Sequence, residues 1–184
     1  YFESRGLQVP KVGAQAGSGA PTQTGGGSAF QPNAQGRTPP VNAADMTPYA
    51  QRYGISAGPL ALLMNHEGNG AHDNSEPRVQ PARWGIVETT AKANGIQDTR
   101  TMTPQQAYDI AAKYIATGLE QFRGQEDKAY GSYFLGAGNI QKAQNQGGDW
   151  VRNADKIAYD ITFDGKHVYG THAMSDFMQY LGVR

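Results

Sequence analysis

One carboxyl stands out for where it sits in the chain. Glu67 closes the run ISAGPLALLMNHEG and is followed at once by a polar stretch rich in Gly, Asn and Pro. Leu60, Leu62, Leu63 and Met64 make the preceding segment a strongly apolar helix expected to be buried and to end near Glu67 and Gly68. An acid with apolar backing, at the partially negative end of a helix, favours its neutral form, which general-acid chemistry requires. Position alone is a weak sign, because an acid at a helix end is more often simply solvated.

Other chemistries fit less well. His66, His72 and Asp73 are close in sequence, but the H-E-x-x-H spacing is missing, and neighbours on a helix point about 100° apart, so no metal site is expected. The chain contains no cysteine, which removes thiolate metal sites, disulfides and a Cys nucleophile. No cofactor-binding signature is found. Lys and Arg number 16 and Asp and Glu 16, giving a net charge of zero and no basic excess with which to grip nucleic acid. Trp84 and Trp150 are open between stacking on a ligand and packing in the core.

The elements that would position Glu67 are mostly helices. The 184 residues allow one domain with a core plus an appendage. Residues 1 to 44 are built largely from Gly, Ala, Gln, Pro, Ser and Thr, and read as a flexible linker or an extended partner-binding arm. The domain is expected over 45 to 184. Thr47 with Pro48 predicts a helix start, and Gly54 its stop. Ser56 is the expected cap of the apolar helix, and 68 to 83 an irregular loop. A short helix ending at Gly95 follows, then an amphipathic one opened by Thr103 and Pro104, with apolar residues at 107, 110, 111, 114, 115 and 119.

Further helical pieces are expected at 127 to 134 and around 140 to 143, separated by the turn GAGN. YDITFDGKHVYG predicts a small hairpin about its Asp-Gly pair. HAMSDFMQYLGV predicts a last helix capped by Ser175 or Thr171. The expected class is mainly α with at most a minor hairpin. No apolar run reaches the roughly 20 residues needed to span a bilayer, so no membrane insertion is expected. The first residue is Tyr1 rather than Met, which reads as a fragment or a processed product.

Three stretches, in order, resemble one family. YAQRYGISAGPLALLMNHEG is similar to the opening of the lytic transglycosylase domain of the goose-type lysozyme superfamily, RWGIVETTAKANGI to its middle, and AYGSYFLGAGNIQKA to its Tyr-containing motif before a glycine-rich turn. The resemblance implies a lysozyme-like single domain after a Gly/Pro/Gln-rich arm. It implies cleavage of the β-1,4 bond between N-acetylmuramic acid and N-acetylglucosamine in peptidoglycan glycan strands. Glu67 would be the catalytic acid and base, Tyr133 would hydrogen-bond near it and orient it, and the product would be a 1,6-anhydro sugar. Gly85, Ile86, Val87, Glu88, Phe134, Gly136 and Asn139 fall on the substrate-lining positions.

The chain also departs from the family pattern. Gly68 stands where a serine is common, Phe134 replaces an asparagine, and GIVE replaces a motif ending in glutamine. Glu88, Asp73 and Glu76 are therefore candidate second acids that would activate water and give a hydrolytic lysozyme instead. The HEG and WGI stretches also resemble a phage lysozyme family that would name the same glutamate. The resemblance implies action in the periplasm or cell wall. A third reading is a virion or secretion-machine component, such as a phage tail protein, whose arm 1 to 44 binds neighbouring proteins.

Overall fold

The computed structural model describes residues 40–67, 82–163 and 165–184. Among these, eight α-helices and two small hairpins form a mainly α-helical domain. The expected arm lies outside the described residues up to position 39, as do Asp73 and Glu76. Packing begins by Val41, which is buried and exchanges two backbone bonds with the Asn65 side chain, at 2.9 and 2.8 Å.

Helix α1 runs Ala43–Tyr53, so it begins five residues before the start at Pro48, capped by Thr47, that the sequence predicts. The reason is a capping box at Asn42, whose side chain accepts from Ala44 and Asp45 amides while the Asp45 carboxylate accepts from the Asn42 amide at 2.8 Å. That reciprocal pair satisfies free amides at the helix start, and Pro48 is carried in the second turn. The helix stops at Gly54, as expected. α2, Ala57–His66, buries Leu60, Leu63 and Met64; Ser56 sits at its start but makes no capping bond.

The first hairpin was not anticipated. Strands β1, Ala82–Arg83, and β2, Ile86–Val87, pair antiparallel about Trp84 and Gly85, with φ of 52° and 69°. Both values lie in the left-handed region that suits two-residue hairpin turns. α3, Glu88–Ala93, leads through a 3₁₀ turn to α4, Pro104–Gln121, where the Thr103 and Gln106 capping box and Pro104 in the first turn confirm the expected start.

α5, Glu126–Leu135, is the hub, packing against α4, α6 and α8. A side chain at Gly131 would meet the Trp150 ring 3.0 Å away, so this glycine lets α5 seat the tryptophan. α6 spans Ala137–Asn145, which places Gly138 and Asn139 in a helix rather than in the expected turn. The turn shrinks to Gly136 because Ala137 and Ile140 must be buried. α7, Trp150–Tyr159, is a helix the sequence reading left unassigned, opened by Asp149 accepting from the Val151 amide. The Asp-Gly hairpin is present as β3, Thr162–Phe163, and β4, Lys166–His167.

The last helix, α8, spans Ala173–Leu181. Neither Ser175 nor Thr171 caps it. The buried Asp155 carboxylate on α7 accepts instead from the Met174 amide at 2.8 Å, the Ser175 amide at 3.1 Å and the Ser175 hydroxyl. A cap supplied by another helix cannot be read from local spacing.

Two stability predictions follow from this packing. Asp155→Ala leaves the start of α8 without its acceptor and should lower stability by about 2–3 kcal/mol, read as a fall of roughly 5–10 °C in thermal melting; an unchanged melt would refute the assignment. Burial pushes the Tyr108 phenol up from 10.0 to about 12, and Tyr130 is raised in the same direction. Below the unfolded value both states keep the proton and the stabilisation is complete. Above it the unfolded chain releases the proton first, so denaturant midpoints should fall steadily between pH 10 and about 12.

Candidate active site

The carboxyl of Glu67 emerges where α2 stops. Its amide still bonds to the Leu63 carbonyl at 3.0 Å, so the backbone is anchored to the last helical turn while the side chain, 19% exposed, reaches beyond it. Leu63 and Met64, both fully buried, fix that turn in the core. An anchored, largely covered carboxyl can exchange a proton with a bound group without first reorganising a long flexible arm.

The opposite wall is the β1–β2 turn. A Cβ built on Gly85 would lie 2.5 Å from Glu67 Oε2 and 3.2 Å from Tyr133 Cε1. No side chain fits in that gap, and the positive φ disfavours one independently. Gly85 therefore allows the turn backbone to close against the carboxyl. Tyr133 secures the turn from behind, its hydroxyl donating to the Trp84 carbonyl at 2.8 Å.

The phenol of Tyr133 is thus committed to backbone rather than to the acid. Burial, then the negative charge of Glu67 and the nearby Tyr114, raise its pKa well above the ordinary value. It stays a neutral donor over any physiological range. Tyr114 packs edge-on against it at 5.3 Å and donates to the Ser132 carbonyl at 3.1 Å, which fixes the ring plane.

The other residues read from the sequence divide. Ile86 is buried in the core and Val87 leads into α3, so these two hold the turn rather than face outward as a pair. Glu88 begins α3 and pairs with Lys92 at 2.8 Å, one turn along. Phe134 stacks on Phe177 at 4.7 Å, in an aromatic group that includes His66. Gly136 is the α5–α6 junction, and the Asn139 amide donates to the Leu135 carbonyl at 2.9 Å. Both serve that junction.

The two tryptophans are resolved in favour of the core. Trp84 is fully buried, and Trp150 is buried with its indole donating to Asp127 at 3.0 Å. What the sequence reading missed is the position of His66 beside the carboxyl, the residue being weighed there only as a metal ligand. Its Nδ1 lies 3.7 Å from Glu67 Oε1, beyond hydrogen-bond distance. The signal was its place beside Glu67, although neighbours on a helix ordinarily diverge; the helix end at Glu67 lets the two side chains converge.

A family model described as the transglycosylase SLT domain matches residues 46–155, more than half of the chain. The match takes in α2 with Glu67, the first hairpin and Tyr133, and it ends before β3, β4 and α8. No curated protein and no solved structure matches the chain.

Gly85→Ala tests the geometry directly. The added methyl must displace the Glu67 carboxyl and occupy a left-handed position, costing more than about 1 kcal/mol of stability. If the Glu67 carboxyl carries the family's reaction, its displacement should slow clearing of a cell-wall suspension on the order of 100-fold; a variant that melts lower but clears at the parent rate would refute that role.

Proposed function

Since the chain belongs to the transglycosylase SLT domain family, an enzyme family of peptidoglycan lytic transglycosylases, we propose that Glu67 is its acid and base and that it cleaves the β-1,4 bond between N-acetylmuramic acid and N-acetylglucosamine. The substrate lies outside the cytoplasm, so the enzyme acts there. No described helix is long and apolar enough to cross a membrane.

The proposed reaction uses one carboxyl twice. Glu67 donates its proton to the glycosidic oxygen as the bond to the muramyl anomeric carbon breaks, and the neighbouring N-acetyl oxygen stabilises the cation that forms. The carboxylate then takes the proton from the muramyl C6 hydroxyl as that oxygen bonds to the anomeric carbon. The chain is cut, the acid is restored, and no water is consumed. The 1,6-anhydro ring is the product.

The observation that carries this reading is the closure of the Gly85 turn on the Glu67 carboxyl. It covers the acid on one side with the backbone of the turn. Among the described candidates for a second acid, Glu88 has Lys92 as its partner, which supports a structural part for it over that of an inverting enzyme's base. In the same reading the arm, up to position 39, is a tether or the segment that joins the enzyme to a virion or secretion machine; its composition is the support.

Digestion of purified sacculi and mass spectrometry of the released muropeptides tests the proposal. Anhydro-muramyl ends are expected from the parent chain. Glu67→Gln should reduce their release by at least about 1,000-fold. Reducing ends would convert the enzyme to a hydrolase, and undiminished activity in Glu67→Gln would remove the glutamate from the mechanism.

A further inference from the structure

The aromatic group beside Glu67 extends past the segment the family model matches. Phe134 on α5 stacks on the buried Phe177 of α8 and meets Tyr169 at 5.1 Å, while His66 sits 5.0 Å from Phe177 and 5.5 Å from Tyr180. Phe177 belongs to the core at 2% exposure. Tyr180 is 45% exposed and the His66 side chain 37%, with Tyr169 and Phe134 partly buried. These rings form a strip that starts 3.7 Å from the Glu67 carboxyl, at His66 Nδ1, and runs outward over α8 and the second hairpin.

The strip is held in place from below. The His167 ring stacks on Tyr159 at 3.8 Å, and its Nδ1 contacts the Tyr159 carbonyl, which fastens the β3–β4 hairpin to α7. The Val168 amide donates to the Ile161 carbonyl at 2.9 Å, one bond beyond the ladder. Tyr169 follows directly and is thereby set against Phe134. Asp155 fixes the start of α8 and with it Phe177 and Tyr180. Rings fixed at two points are an ordered surface rather than a loose apolar patch.

We propose that His66, Phe134, Tyr169 and Tyr180 form a saccharide subsite continuous with Glu67, in which a pyranose ring of a peptidoglycan strand stacks on the exposed tyrosine faces. The proposal rests on the reading of Glu67 as the cleaving group and adds where the strand runs from it. The ligand chemistry follows from the surface. A pyranose presents an apolar face of C–H groups with hydroxyls around its rim, matching an aromatic face with phenol and imidazole edges. Binding energy gained away from the cut bond can be used to position that bond against the acid, so this strip should affect cleavage as well as affinity.

The test uses the full chain with Glu67→Gln, which cannot consume its ligand, titrated calorimetrically with soluble uncrosslinked strands of alternating N-acetylglucosamine and N-acetylmuramic acid. Tyr180→Ala and Tyr169→Ala in that background should each weaken binding roughly threefold to tenfold, and Tyr180→Trp should stay within about twofold of its parent. In the active chain the alanine variants should raise KM for long strands. Alanine variants that bind as tightly as the parent overturn the subsite, as does a parent that binds no strand. If binding falls as expected while the active chain releases no anhydro-muramyl product, the subsite stands and the lyase reading falls.

Discussion

The site depends on a contact that only the lack of a side chain allows. Gly85 brings a backbone turn to a distance at which even one methyl would overlap the Glu67 carboxyl. Everything that holds either partner therefore acts on the acid. α2 holds one through the Leu63 carbonyl and its buried leucines, and the Tyr133 hydroxyl holds the other through the Trp84 carbonyl. Trp84, fully buried, anchors the turn in the core. A packed interior resists displacement, so a rigid acid is a direct consequence of where these large side chains are buried.

Tyr133 illustrates how residue type and role can come apart. The sequence motif points to a tyrosine that orients the acid by bonding near it, and the ring does lie against the Gly85 and Glu67 contact. Its hydrogen bond, however, goes to the turn. A phenol beside a carboxyl could share its proton with it, but burial and the Glu67 charge both raise the cost of ionising Tyr133. On the proposed mechanism it can steady Glu67 without competing for the proton that carboxyl would move.

The sequence made visible what is set locally. Thr103, Pro104 and Gln106 announce α4, Gly54 ends α1, and the apolar spacing of α2 leads to Glu67. Features settled by a distant partner were hidden. α8 takes its cap from Asp155, nineteen residues earlier in the chain from Met174, and no local motif encodes that. α1 begins at the Asn42 and Asp45 box because two reciprocal bonds prevail over the more familiar Thr-Pro pair. The Trp84 and Gly85 hairpin was obscured by its strands being only two residues long, too short for any alternation to show. The closeness of His66 to Glu67 was hidden too, since helical spacing predicts divergence and only the end of α2 removes that constraint.

The segment beyond the family match is joined to the acid through a short physical chain. Asp155 fixes the start of α8; α8 carries Phe177 into the core and Tyr180 to the surface; both rings pack on His66, whose imidazole lies beside Glu67. The acid is thus bordered from two sides, by a turn that leaves it no room and by a histidine whose ring is held by α8. The two sides differ in kind. The turn excludes volume with backbone, whereas the histidine adds a ring that packs on Phe177 and Tyr180. On the proposed mechanism Glu67 must be neutral to begin and ionised midway. A neighbour 3.7 Å away lies beyond hydrogen-bond distance, so it borders the carboxyl without holding its proton.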